Sequence, residues 1–309
     1  MLNWRIYCLI ILLCSVSLRL AAAPTTGSIS IEHSEVYSRF LNLTRVSPKL
    51  AQATALAQDQ QGFLWVGTQH GLYRFDGQQI KAYQADPAKT NTLSADWVSS
   101  LLVDRQGILW IGTRYGGLNR FNPATEQFNR VPLPTLPGEQ QQVETSVVYQ
   151  DPTGELWVGT YGGGLLRWDP DNARLETVAL PLPLNELDSL YINALFRDSS
   201  GYLWIGTGNA PLRNRSVLQG GAIRWHPQQG NKQLLSVHSS ALTTAAVTAI
   251  AADAQGQIWL TSYGGGLYQF DSASGILRPE RNQPALLQHG LLTDIGFDRT
   301  GGRWVSSYD

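Results

Sequence analysis

Gly159 and Gly164 stand five residues apart in the stretch LWVGTYGGGLLRWDP, Leu156 to Pro170, and Gly164 closes a run of three glycines. Glycines at that spacing cradle phosphates when Lys and then Ser or Thr follow, because the lysine reaches the phosphates and the hydroxyl reaches a metal ion. Here Leu165 and Leu166 follow instead. The dinucleotide fingerprint fails as well, since Arg167 stands where its last glycine belongs. Five histidines, His33, His70, His226, His238 and His289, show no metal-ligand spacing. No Gly-x-Ser-x-Gly elbow is present. Asp169-Pro170-Asp171-Asn172 opens like a calcium loop but lacks the other ligands. The sequence assigns no catalytic group and gives no ground to expect a metal or cofactor.

The glycines therefore need a structural explanation, and the composition says what kind. The chain has 309 residues, 43% hydrophobic and 15% charged, with 30 Gly and 10 Trp. That is enough apolar surface for a large core and too much for disorder. A net charge of −1 offers no basic excess for nucleic-acid phosphates. Residues 1–23 differ from the rest. Arg5 precedes a mostly apolar run from Ile6 to Leu18, and Ala21-Ala22-Ala23 offers a cleavage site, which together read as a secretory signal peptide. Thirteen residues span too little of the ~30 Å hydrocarbon core to be an anchor. Both cysteines, Cys8 and Cys14, lie inside this segment, so the exported chain has none and relies on packing alone. A short linker is expected over 24–35 and one repeat domain over 36–309.

The pattern Asp-x-x-Gly-x-x-Trp recurs six times. Its residues are Asp59, Gly62, Trp65; Asp104, Gly107, Trp110; Asp151, Gly154, Trp157; Asp198, Gly201, Trp204; Asp253, Gly256, Trp259; and Asp298, Gly301, Trp304. Tryptophan spacings are 45, 47, 47, 55 and 45. A second element, such as GLYRFD from Gly71 or GLLRWD from Gly164, follows each of the first five. Polar and apolar residues alternate in both elements, which is the strand period. An apolar stretch before each Asp and a short one after the second element complete four strands per unit. Four-stranded units of this length are β-propeller blades. They are expected at about 50–90, 91–136, 137–184, 185–238, 239–285 and 286–309, the last incomplete. Asp-x-x-Gly makes the first hairpin turn, the Asp side chain accepting backbone N–H and the Gly supplying positive φ. The tryptophans are expected to fill the gaps between neighbouring sheets. The glycine triplet is one copy of the second-to-third-strand hairpin, repeated as YGGL from Tyr115 and YGGGL from Tyr263.

Strands in a blade run alternately up and down, so the second-to-third turns share a face with the blade-to-blade connections. Asp to Trp is always six residues, whereas Trp to the aromatic of the third strand is 10, 11, 11, 21 and 11. The outlier carries an insert, Asn209 to Gln219. Length variation on a fixed scaffold marks the face where function is sought. That face is expected to carry His70, Arg114, Tyr115, Tyr161, Arg213, Arg215 and Tyr263 as ligand candidates, residue types suited to sugars or acidic groups.

GFLWVGTQHGLYRFDG (Gly62–Gly77), NTLSADWVSSLLVDRQGILWIGTRYGGLNRFN (Asn91–Asn122) and GELWVGTYGGGLLRWD with its later copies resemble the two-component regulator propeller repeats, over roughly residues 36 to 309. The resemblance implies a propeller, usually seven-bladed, forming the exported, periplasmic sensor part of a membrane receptor. A β-sandwich, a transmembrane helix and an output module, a hybrid histidine kinase or a diguanylate cyclase, follow in that family. It implies a small-molecule or oligosaccharide ligand, with no nucleic acid, membrane contact only through C-terminal parts, and admits a homodimer in the full receptor. This sequence departs from the family by stopping at Asp309, after the second strand of its sixth unit, which reads as a truncated product or fragment. Arg39 to Val46, RFLNLTRV, reads as an outermost strand completing a blade from the far end of the chain. An incomplete ring exposes sheet edges, so residues 24–309 alone are expected to be poorly soluble. A secreted propeller enzyme of the lyase type and a protein-binding scaffold are the competing functions.

Overall fold

The structure is a computed structural model that describes residues 10–11, 40–41, 47–134, 144–180, 191–208, 220–235, 242, 246–281, 287, 290–298 and 300–307. Two compact units divide the chain, Met1–Ala53 and Thr54–Asp309. In the smaller, β1 (Ile10–Ile11) pairs antiparallel with β2 (Phe40–Leu41), and a 3-10 turn runs from Pro48 to Gln52. The described part of 39–46 thus pairs with Ile10–Ile11 rather than with a blade, which differs from the outermost strand expected there. Among the described residues no helix is long and apolar enough to cross a membrane.

The larger unit is a series of antiparallel four-stranded sheets in chain order. Blade one holds β3 (Ala53–Gln58), β4 (Leu64–Thr68), β5 (Gly71–Phe75) and β6 (Ile80–Tyr83). Blade two holds β7 (Val98–Val103), β8 (Leu109–Thr113), β9 (Gly117–Asn122) and β10 (Gln127–Val131). Blade three holds β11 (Glu144–Gln150), β12 (Leu156–Tyr161), β13 (Leu165–Asp169) and β14 (Arg174–Thr177). Blade four holds β15 (Ile192–Arg197), β16 (Leu203–Gly208), β17 (Gly220–Trp225) and β18 (Lys232–Leu235). Blade five holds β19 (Val247–Ala252), β20 (Ile258–Ser262), β21 (Gly266–Asp271) and β22 (Ile276–Pro279). Blade six shows two described strands, β23 (Leu292–Phe297) and β24 (Arg303–Ser307). First strands of adjacent blades lie against each other, so they are the inner ones. This is the β-propeller that the repeat spacing predicts.

The repeated Asp acts twice. Oδ1 accepts backbone N–H two and four residues on, as in Gln61 and Phe63 onto Asp59, and the same pair forms in all six blades. Oδ2 accepts the indole N–H of the Trp six residues later, at 2.7 Å in blades one and two and at 3.1, 2.8, 3.0 and 2.9 Å in blades three to six. A buried indole needs a partner for its N–H, and this carboxylate supplies it, so the constant six-residue interval joins turn to core. Five of the tryptophans are 8% exposed or less, while Trp304 is 44% exposed.

Neighbouring sheets meet at close range because of the glycine two residues after each of the first four tryptophans. A Cβ on Gly67, Gly112, Gly159 or Gly206 would lie 2.5 to 2.9 Å from Val98, Thr145, Ile192 or Val247, the branched residue first or second in the next blade's inner strand. The aromatic of each third strand then covers the Trp of the blade before. Trp65 meets Phe121 at 4.9 Å, Trp110 meets Trp168 at 5.1 Å, Trp157 meets Trp225 at 6.4 Å and Trp204 meets Phe270 at 4.8 Å between ring centroids. The Arg beside that aromatic pairs across the strands with its own blade's Trp, as Arg74 does with Trp65 and Arg120 with Trp110. Its guanidinium lies 5.6 and 4.9 Å from those rings, a cation–π contact that explains the recurrent Arg.

Candidate ligand-binding face

A buried Thr stands at the end of the second strand in blades one and two, and one residue before it in blades three and four, and sets the turn that follows. Thr68, Thr113, Thr160 and Thr207 donate through Oγ1 to the carbonyl that opens the third strand, Gly71, Gly117, Gly164 and Gly221, at 3.0, 2.8, 2.7 and 3.2 Å. Positive φ at Gly162 (88°) and Gly164 (70°) turns the chain in blade three, so the opening triplet is the hairpin its repetition suggests.

The residue after this Thr, or after Ser262 in blade five, is Gln69, Arg114, Tyr161, Gly208 and Tyr263 in turn. Each of the last four lies against the residue that leads into its own blade's inner strand. Arg114 N–H donates to Trp97 O at 2.8 Å, Gly208 to Tyr191 O at 3.0 Å and Tyr263 to Ala246 O at 2.9 Å, while Tyr161 pairs with Glu144. Side chains then reach to the next blade. Arg114 Nε lies 3.2 Å from Glu144 Oε2, and the Tyr161 and Tyr191 rings are 5.4 Å apart. Arg114 also sits 4.3 Å from the Trp97 ring centroid and 5.2 Å from that of Tyr115. Blades two to four therefore present a contiguous rim of Trp97, Arg114, Tyr115, Glu144, Tyr161 and Tyr191. Blade four ends it with Gly208 and Ala246, which leave little side chain.

Of the residues expected on this face, His70, Arg114, Tyr115, Tyr161 and Tyr263 all lie on second-to-third-strand turns, and Arg213 and Arg215 lie outside the described residues. Arg114 and Tyr115 come together. Tyr263 is buried and pairs with Leu291. His70 is exposed on blade one, where its carbonyl accepts from Gln84 Nε2 and Tyr73 Oη. Burial pushes the Tyr73 hydroxyl up, and Asp96 adds to it, while the Thr68 contact works the other way.

One equivalence has to be corrected. Tyr115 does not match Tyr161 and Tyr263; Arg114 does. Tyr115 stands at the place of Gly162 and Gly264, with φ 71° against 88° and 76°. Its ring is 52% exposed. A non-glycine residue there is strained by roughly 1 kcal/mol or more, and such strain is kept where a side chain is wanted.

Trp97, Glu144 and Tyr191 did not emerge from motif reading because they sit in connections of varying length. The available signal is that each stands 13 residues before the repeat Trp, and their chemistry differs from blade to blade. Among the described residues no group of three or more His, Cys, Asp or Glu could hold a metal ion.

Residues 50–70, 92–115 and 186–209 match the family model of the two-component regulator propeller. Two of these segments end on the turns of this face. No curated protein matches the chain. Among solved structures, the extracellular domain of BT3049, described as a hybrid two-component system of B. thetaiotaomicron, superposes with TM-score 0.65 and 20% identity over 83% of this chain and 32% of that one. Virginiamycin B lyase from Staphylococcus aureus gives TM-score 0.62 and 15% identity over 89% and 83%. PorZ, a surface component of the type-IX secretion system of Porphyromonas gingivalis, gives 0.58 and 14% over 83% and 39%. The chain thus spans about a third of the BT3049 domain, and at these identities the likeness is one of fold. The fold is a β-propeller, and three of its segments match the two-component regulator propeller repeat.

Proposed function

We propose that this propeller is the extracytoplasmic ligand-sensing module of a membrane signal-transduction receptor, with a kinase or cyclase output carried elsewhere in the polypeptide. The observation that carries this reading is the rim of Trp97, Arg114, Tyr115, Glu144, Tyr161 and Tyr191. Aromatic rings and a guanidinium fixed by a carboxylate suit a small polar molecule or oligosaccharide. Gly208, the last described residue before 209–219, lies beside this rim. The apolar run near the N-terminus and the family match support export to the periplasm. A propeller lyase is the weaker reading. Of the two described histidines, His70 lies on the rim face, and His226 lies on the other face beside the Asp198–Gly201 turn, where a Cβ on Gly201 would be 3.1 Å from its Nε2.

Thermal-shift screening of a mono- and oligosaccharide library tests the proposal. A hit whose affinity falls at least tenfold in Arg114→Ala, and is unchanged in Lys232→Ala, is expected. Hits that ignore both Arg114→Ala and Tyr161→Ala would place recognition elsewhere.

A further inference from the structure

Several arginines of the propeller use their terminal nitrogens on the protein itself. Arg105 Nη2 donates to Pro152 O at 2.8 Å, Arg130 Nη2 to Lys89 O at 3.0 Å and Arg197 Nη1 to Asp151 Oδ2 at 2.6 Å, and Arg278 Nη2 lies 2.8 Å from Asp271 Oδ2. Arg114 is held the other way round. Its Nε donates to Glu144 Oε2 at 3.2 Å, and among the described residues no acceptor meets Nη1 or Nη2. The guanidinium carbon lies 4.3 Å from the Trp97 ring centroid and 5.2 Å from that of Tyr115. Two rings and one carboxylate thus fix its orientation, and the Glu144 side chain is itself only 10% exposed. With Nε taken, the groups left for a ligand are the two Nη groups. Paired N–H donors on a planar cation match two oxygens of one oxyanion.

The size of the charge narrows the anion. One guanidinium that already faces a carboxylate balances at most a single further negative charge, and the rim of Trp97, Arg114, Tyr115, Glu144, Tyr161 and Tyr191 holds no lysine and no second arginine. A doubly charged phosphate monoester would lack partners there. A carboxylate is planar and singly charged, and it fits a guanidinium fork with two parallel hydrogen bonds. Tyr115 supplies the other half of the site. Its ring is 52% exposed beside the guanidinium and is carried on a backbone of φ 71°. An exposed ring next to an oriented cation suits a ligand whose anionic group is joined directly to a flat, mostly C–H face. A uronic acid sugar is built that way.

We propose that the two Nη groups of Arg114 receive the carboxylate of a uronic acid residue, with its sugar ring laid on Tyr115. The inference rests on the ligand-sensing reading above and narrows its ligand from any small polar molecule or saccharide to an acidic saccharide. Arg114 and Tyr115 touch the ligand. Trp97 and Glu144 position Arg114, so that little orientational freedom is lost when the acid binds.

Isothermal titration calorimetry with trimers of galacturonate, glucuronate and mannuronate, each beside its carboxyl methyl ester, tests this. At least one uronate should bind wild type. Its methyl ester keeps every ring and loses the anion, and should bind about tenfold more weakly or worse. Arg114→Lys keeps the charge and loses the fork, so it should weaken the acid by a similar factor and leave the ester as it was. Tyr115→Gly should weaken acid and ester alike. The comparison of acid with ester needs no variant, so it decides even if Arg114→Lys melts below wild type. Equal affinity for acid and ester, an acid that binds Arg114→Lys as well as wild type, or an acid indifferent to Tyr115→Gly would overturn the inference. A sulfated galactan trimer bound more tightly than every uronate would overturn the choice of carboxylate. Neutral saccharides that bind through Arg114, with no uronate among the ligands, would overturn it too and leave the sensing reading standing. Saccharides that ignore both Arg114→Ala and Tyr161→Ala would remove that reading as well.

Discussion

On one face of the propeller the first turn is the same in all six blades: Asp Oδ1 takes two backbone N–H groups and Asp Oδ2 takes the indole N–H. On the other face the residue after the Thr or Ser near the end of the second strand is Gln69, Arg114, Tyr161, Gly208 and Tyr263, and no two adjacent blades agree. Both faces belong to the same four-stranded unit. The uniform face ties each turn to an interblade tryptophan, so a change there costs the core. The variable face spends only a Thr hydroxyl and two glycines on its turn and leaves the next side chain free to differ.

Arg197 marks where the uniform face departs from repetition, and it offers the largest effect. Its buried guanidinium donates to Asp151 Oδ2 at 2.6 Å and to Glu155 at 3.1 Å, and its other nitrogen reaches Gln228 at 3.2 Å. Burial alone would raise the Asp151 carboxyl, but bonds from Thr153, Arg197 and Trp157 outweigh it and hold it below the ordinary range. Arg197→Ala strands that buried carboxylate, and a loss of about 3 kcal/mol is expected from chemical denaturation. The sign with pH follows. A depressed carboxyl stabilises the fold above its unfolded pKa of about 4 and ceases to as pH falls through the lower folded value. Removing Arg197 takes away part of what holds the carboxyl down and narrows the gap between its folded and unfolded values, so the acid-side loss in melting temperature should be smaller in Arg197→Ala than in wild type and should end at higher pH.

A middle-sized effect separates the two kinds of glycine. Gly159 faces Ile192 and Val147, each 2.6 Å from a Cβ placed there, whereas Gly162 has nothing within 4 Å but a φ of 88°. Gly159→Val should cost about 1–3 kcal/mol by overpacking the blade interface. Gly162→Ala should cost about 1 kcal/mol through backbone strain alone. Equal losses in urea melts would mean that the interface yields more easily than its spacing implies.

The smallest effect is expected at Tyr115. Tyr115→Gly relieves a positive φ at an exposed position, so stability should stay within about 1 kcal/mol of wild type. If the rim is the ligand site, the same variant should weaken binding. A clear fall in melting temperature would show that Tyr115 is kept for packing and would blur the contrast between the faces.

Much of this was legible in the sequence. The six Asp-x-x-Gly-x-x-Trp motifs define the blades, because a fixed interval between turn and tryptophan can be kept only if each unit packs alike. The glycine triplet resolves into a hairpin for the same reason. Pattern alone also places His70, Arg114, Tyr115, Tyr161 and Tyr263 at the second-to-third-strand turns, where the structure has them. It mismatches Tyr115 with Tyr161 and Tyr263, because matching the letters Tyr-Gly-Gly slides the register by one, and a one-residue slip changes which side chain meets the neighbouring blade.

Three things were decided by the tertiary structure. The Asp–indole bond joins residues six apart only when the hairpin has formed. The pairing of Arg114 with Glu144 and of Tyr161 with Tyr191 spans two blades, and no local period encodes which connection lies beside which turn. The contrast between Trp304 and its five buried counterparts exists only in space: the six motifs share one phase in the chain, but whether a tryptophan is covered depends on the sheet packed against it.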